Sequence, residues 1–170
     1  MSLPDEIARI YDEHAQALFA YLMTLTRSET DTHDLLQEVF VRLATRERLL
    51  EGVASERGFL IRLAHNLAVD AMRRRDTRSR NHDQFGLERQ DELATGADPD
   101  AMTLQATMES ALNTLPEEQR TVVHLKTWGG LTFEEIATAL DILPNTAASR
   151  YRYGIDKIRE QLRPYYNEIQ

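Results

Sequence analysis

Along most of this chain apolar residues recur every three or four positions, with short polar breaks between the runs, and no stretch alternates at every second residue. That pattern belongs to amphipathic helices rather than strands. Ile7, Ile10, Tyr11, Leu18, Phe19, Leu22 and Leu25 mark a first helix. Ser28 and Asp31 precede a second, which carries Leu35, Leu36, Val39, Phe40 and Leu43 on one face. Polar residues around Glu51-Gly52 and from Ser55 to Gly58 interrupt it. A third helix turns Phe59, Leu60, Leu63, Ala64, Leu67, Ala68 and Met72 inward and ends in Arg73-Arg74-Arg75. Residues 76–105 lose the periodicity, are polar and acidic, and include Gly86, Gly96 and Pro99, as a linker would. Helical pattern returns near Thr103 and passes Leu112, Leu115, Val122, Val123, Leu125 and Trp128, with punctuation at Pro116 and Gly129-Gly130, to a last helix ending near Leu162. The expected fold is all-α. Two small helical domains, 1–80 and 106–170, are joined by a flexible acidic linker over 81–105.

Residues 131–153 have the pattern of a helix-turn-helix. Thr132 and Glu135 form a capping box, so a helix should start at Phe133. Ile136, Ala137 and Leu140 give it one apolar face, and Ala137 is small where two helices must cross closely. Asp141 falls where the chain must turn, and Asp tolerates a left-handed backbone. Pro144 suits the first position of a second helix, where its missing N–H costs nothing. That second helix presents Asn145, Thr146, Ser149, Arg150 and Arg152, a polar set able to meet phosphates and base edges.

A net charge of −8 conflicts with a DNA-binding segment until its distribution is considered. Residues 1–55 hold 5 Arg/Lys against 10 Asp/Glu, residues 56–80 hold 7 against 3, residues 81–110 hold 1 against 7, and residues 111–170 hold 7 against 8. A basic block therefore lies between two acidic ones. Non-specific affinity for DNA comes mostly from neutralised phosphates, so such a chain should bind free DNA poorly and act on it through a partner that supplies positive field. There is no cysteine, which excludes disulfides and thiolate chemistry and fits a reducing cytoplasm. The N-terminal residues lack the pattern of a secretory signal, and no apolar run approaches the roughly 18 residues that span a bilayer.

Within the basic block Arg62, Asn66 and Arg73 share a helix face opposite the apolar one, with Phe59, His65 and Arg74 close by. Arginines beside planar side chains suit single-stranded nucleic acid, since Arg grips phosphate with two N–H groups and bases stack on aromatics. A solvated Arg-rich helix end would have the same composition. Asp31, Asp34 and Glu38 share one face of the second helix. Such a face can pair with a basic partner or simply be solvated; as a metal site it lacks carboxylates converging from other elements. No nucleophile–base motif and no glycine-rich phosphate loop occurs, and the five histidines have no ligand spacing, so neither catalysis nor a cofactor is expected.

The segments Asp34-Leu35-Leu36-Gln37-Glu38-Val39-Phe40-Val41-Arg42-Leu43 and Phe59 through Arg75 resemble the N-terminal domain of extracytoplasmic-function sigma factors of bacterial RNA polymerase. Leu115-Pro116-Glu117-Glu118-Gln119-Arg120, Gly130 through Ala137 and Asn145 through Arg150 resemble their C-terminal domain. The resemblance implies an alternative sigma factor, cytoplasmic and not an enzyme, that binds core RNA polymerase and promoter DNA and can be held by an anti-sigma factor. Asp34, Gln37, Glu38 and Phe40 would dock on the polymerase clamp. Phe59, Arg62, His65, Asn66, Arg73 and Arg74 would hold the melted minus-ten strand, and the loop from Thr45 to Gly58 would help receive a flipped base. The acidic linker would thread toward the RNA exit path. Asn145, Thr146, Ser149, Arg150 and Arg152 would read the minus-thirty-five element, and tethering both readers raises avidity.

The chain departs from the family pattern at several positions. Phe59 stands for the usual tryptophan and Ile61 for an aromatic, which implies weaker stacking. Asp141 stands for the usual turn glycine, and Ala147-Ala148 for Val-Lys, which removes a cation and core volume and implies weak or differently specified minus-thirty-five recognition. Two other readings compete. A sigma-like decoy that binds an anti-sigma protein has less need of the basic block. A free-standing helix-turn-helix regulator is disfavoured by the acidic charge.

Overall fold

The computed structural model describes residues 2–46, 50–81 and 99–167. Among these the chain forms seven α-helices and no strand: α1 (Leu3–Thr26), α2 (Glu29–Thr45), α3 (Glu56–Asn81), α4 (Pro99–Thr114), α5 (Glu117–Thr127), α6 (Phe133–Leu140) and α7 (Pro144–Asn167). The helix starts follow local chemistry. Ser2 and Asp5 form a capping box at α1, the Ser28 side chain accepts from the Asp31 N–H at α2, and Thr132 and Glu135 form the expected box at α6. Only Arg27 and Ser28 separate α1 from α2, and Arg27 makes the bend in the left-handed region at φ 52°.

Three boundaries differ from the sequence expectation. Helix α3 does not stop at Arg75 but runs to Asn81. Arginine is a good helix former, the Thr77 hydroxyl donates to the Arg73 carbonyl, and no glycine or proline intervenes. Helix α4 starts at Pro99 rather than near Thr103, because proline is acceptable at a first helical position. The recognition helix and the last helix are one continuous element, α7. Residues 82–98, most of the expected linker, lie outside the described residues.

The core is larger than one domain would need. Ile10, Leu18, Tyr21 and Leu22 of α1 meet Val39 and Leu43 of α2 and Leu60, Ile61, Ala64, Leu67 and Ala68 of α3. The same cluster continues into Leu125 of α5, Leu131, Ile136 and Ala139 at α6, and Ala147 of α7. Each fully buried large side chain contributes about 1.5–3 kcal/mol, so this contact binds the helix-turn-helix firmly to the N-terminal helices. A second, smaller cluster of Ala111, Leu115, Val123, Ile158 and Leu162 joins α4, α5 and α7. There α7 approaches so closely that a Cβ on Gly154 would lie 2.7 Å from Val123 Cγ2. Tyr11, expected inward, is 52% exposed and stacks on Phe40 at 4.9 Å, whereas Tyr21 is completely buried.

Candidate nucleic-acid interface

Helix α3 is amphipathic in an unequal way. Leu60 and Ile61 are adjacent and both essentially buried, so two sides of the helix are covered and only one remains for solvent. On that side Arg62, Asn66, Arg73 and Arg74 are all exposed, as their shared spacing requires. Phe59 is half-buried against the core. His65 is placed differently from the other expected DNA contacts. Its Nδ1 lies 2.8 Å from the hydroxyl of buried Tyr21, and burial pushes its pKa down, so its ring serves the core at neutral pH. Arg75, next along the arginine run, is bonded to Asp31 of α2 at 2.6 Å. Between α2 and α3, residues 47–49 of the expected base-receiving loop lie outside the described residues; the turn that follows uses Gly52 at φ 75°.

The helix-turn-helix forms as its residues dictate. Asp141 takes the left-handed turn position at φ 55°, ψ 49°, and the Ile142 N–H donates to the Ala137 carbonyl. Ala137 and Ala147 are buried where α6 and α7 cross, so the small residues set a close helix approach. At the start of α7 Asn145 is exposed and Thr146 half-buried. Ser149 donates to the Asn145 carbonyl, which turns its hydroxyl along the helix. Arg150 is drawn to Glu118 of α5 at 2.9 Å, leaving its side chain 25% exposed. Arg152 is exposed and lies over the Tyr153 ring at 5.4 Å. Two residues on this edge lay outside the sequence expectation. Leu143 is 71% exposed beside the turn, and Lys126 lies 4.7 Å over the Phe133 ring beside the start of α6.

On α2, Asp34, Gln37 and Glu38 are exposed on one stripe that continues to the exposed Val41. Glu38 is paired with Arg42 at 2.9 Å. Phe40 is half-buried on the neighbouring side, where it lines a shallow apolar groove with Leu3, Ile7, Tyr11 and Ala44. Glu13, His14 and Glu56 bring ligand-type atoms within 4.8 Å of one another, which the sequence spacing did not reveal. Arg9 and His14 already take the Glu56 carboxylate at 2.7 and 2.8 Å, and these partners hold it below the usual carboxylate range, so the group is an ion-pair network that ties α1 to α3.

Comparison with known proteins agrees with this geometry. Sigma-70 region 2 matches residues 10–78, which hold most of α1 to α3, and Sigma-70, region 4 matches residues 105–158, which hold the helix-turn-helix. The chain is 27% identical over 165 residues to the ECF RNA polymerase sigma factor SigX of Bacillus subtilis, covering 94% of this chain and 85% of that protein. It is 30% identical over 155 residues to the ECF RNA polymerase sigma factor SigL of Mycobacterium tuberculosis, covering 88% and 85%. In fold it is similar to the sigma factor RpoE of Bartonella quintana, solved in complex with the anti-sigma factor NepR, with a TM-score of 0.78 at 21% identity over 93% of this chain and 97% of that one. The structure of CnrH in complex with the cytosolic domain of CnrY aligns with a TM-score of 0.65 at 20% identity over 93% of this chain and 88% of that one. Two separate regions matched in order, and a relative at this identity over nearly its whole length, place the chain among the extracytoplasmic-function sigma factors, alternative sigma subunits that direct RNA polymerase to promoters.

Proposed function

We propose that the three exposed faces divide the work of initiation, with units at 1–80 and 106–170 and a connecting segment at 81–105. The α2 stripe of Asp34, Gln37 and Glu38, with Phe40 beside it, docks on core polymerase. Arg62, Asn66, Arg73 and Arg74 on α3, with Phe59 as a stacking surface, hold the melted minus-ten strand. Asn145, Thr146 and Arg152 on α7 read the minus-thirty-five element, and Ser149 and Arg150 join them only after giving up their present partners. The observation that carries this division is the α3 face, where four polar side chains of one helix side are all solvent-exposed while the sides behind them are buried. The chain contributes binding, and bond chemistry belongs to the polymerase. An anti-sigma factor is its partner, as NepR is for the structural neighbour RpoE, and its place of action is the cytoplasm.

Mixing the purified chain with sigma-free core enzyme and genomic promoter fragments, then sequencing the transcripts, tests this directly. Discrete start sites that share two upstream elements are the expected result. Core binding without transcripts would contradict the promoter-reading roles, and failure to bind core would contradict the α2 assignment.

A further inference from the structure

The start of α7 breaks a rule that α1, α2 and α6 keep. Each of those three begins after a Ser or Thr whose side chain accepts a first-turn N–H. Helix α7 begins at Pro144, which makes Leu143 its N-cap, and the Leu143 carbonyl accepts the Ala147 N–H at 3.1 Å. A leucine side chain has no acceptor to offer the orphan N–H groups of the first turn, and leucine is among the poorest N-cap residues. The same side chain is 71% exposed, more than any other large apolar side chain among the described residues. A lone exposed leucine is ordinary. One that also forgoes a helix cap serves the fold neither by burial nor by hydrogen bonding, and such breaches gather at functional positions.

The backbone around Leu143 is fixed. The Ile142 N–H donates to the Ala137 carbonyl at 3.0 Å, Ile142 packs against the core, and Ala147, one turn on, is fully buried. Leu143 is therefore held outward at the tip of α7 rather than carried on a loose loop. Asn145, two positions on, is exposed as well. In a helix-turn-helix this N-terminal tip of the second helix meets base edges in the major groove. Those edges carry hydrogen-bonding groups and one apolar substituent, the thymine 5-methyl, which is the group an apolar side chain contacts there. Asparagine pairs with N6 and N7 of adenine on the same edge. An exposed leucine beside an exposed asparagine thus matches the chemistry of A·T pairs.

We propose that Leu143 is a specificity-determining residue whose side chain packs on a thymine 5-methyl group of the minus-thirty-five element. This rests on α7 being the reader of that element. The test is a binding titration of the holoenzyme on a promoter located by transcript sequencing, with each thymine of the element replaced singly by deoxyuridine, which removes only the methyl. At one or two positions deoxyuridine should weaken wild-type binding about fourfold, the worth of one methyl group taken out of water. Leu143→Ala and Leu143→Ser should bind the thymine promoter at least about fourfold more weakly than the wild type and lose nothing further on deoxyuridine. Leu143→Ser restores a capping side chain and should raise the melting temperature by about 2 °C, with Leu143→Ala near the wild type. An equal deoxyuridine penalty in wild type and variants would overturn the proposal. So would an element that scrambling disables but deoxyuridine leaves intact. A Leu143→Ser chain less stable than the wild type would assign the side chain to the fold, and loss of core binding by Leu143→Ala would assign it to polymerase; either overturns the contact. Binding unchanged by scrambling the whole element would instead remove α7 as its reader.

Discussion

Helices α3 and α7 each carry a polar stripe proposed for DNA, but the chain embeds them differently. Helix α3 is covered on two sides, through Leu60, Ile61, Ala64, Leu67 and Ala68, and sends Arg62, Asn66, Arg73 and Arg74 outward. Helix α7 buries Ala147, Gly154, Ile158 and Leu162, while Ser149 and Arg150 are spent on bonds within the protein. A helix fixed on two sides presents a preformed charged face. A helix fixed on one side shares its polar groups with its neighbours and must rearrange before it can use all of them on DNA. Promoter affinity should therefore depend more on α3 than on α7.

The largest expected effect breaks the α3 side of the comparison. Arg62→Ala with Arg73→Ala should weaken promoter binding by the holoenzyme about a hundredfold, from two charge-assisted contacts of about 1.5 kcal/mol each, and should lower the salt slope by about two. An unchanged salt slope in a binding titration would show that these arginines face solvent only. Next are the buried rings behind α3, His65 and His124 of α5 on either side of Tyr21, which pH probes. His124 has its pKa pushed down to about 4 by burial, and His65 is lowered for the same reason. A histidine with a depressed folded pKa takes up its proton first in the unfolded chain. Stability is then full above about pH 7 and falls as pH drops below the ordinary histidine value, by about 2 kcal/mol at pH 5. Thermal melts of the wild type should show this fall and those of His124→Phe should show less of it; identical pH profiles would place the cost elsewhere.

Asp34→Ala with Glu38→Ala should weaken core binding about tenfold and leave the melting temperature nearly unchanged, since both side chains are exposed. Retained core affinity in a pull-down titration would remove the docking role. The smallest effects separate two arginines on α7. Arg152→Ala should lower minus-thirty-five-dependent binding several-fold, while Arg150→Ala should change it less and instead cost up to about 1 kcal/mol of stability through the lost Glu118 pair. Equal losses of promoter binding from both would show that Arg150 leaves Glu118 for DNA.

The local features were legible because they depend on neighbours in sequence. The Thr132–Glu135 box, the Asp141 turn and the Pro144 start all encode themselves within a few residues, as does the exposure of Arg62, Asn66 and Arg73 on one face. Features set by remote segments were not legible. His65 shares a helix turn with Arg62, and only the position of Tyr21, 44 residues away, turns its ring inward. Arg150 has the right spacing for DNA, and its ion pair depends on Glu118 in another helix. Ile61 looks like a substitution for a missing aromatic until the C-terminal unit is seen to share its core. The extension of α3 to Asn81 required no remote contact; the arginine run suggested an end where helix propensity allowed continuation.

The most direct measurement is permanganate reactivity of the minus-ten thymines in complexes formed with the wild type and with Arg62→Ala, Arg73→Ala, each alongside a core-binding assay. The account predicts that the variant joins core polymerase with wild-type affinity and that its thymines stay protected in the duplex. Full thymine reactivity with the variant, or equal loss of core binding and melting, would contradict the assignment of the α3 face to the opened strand.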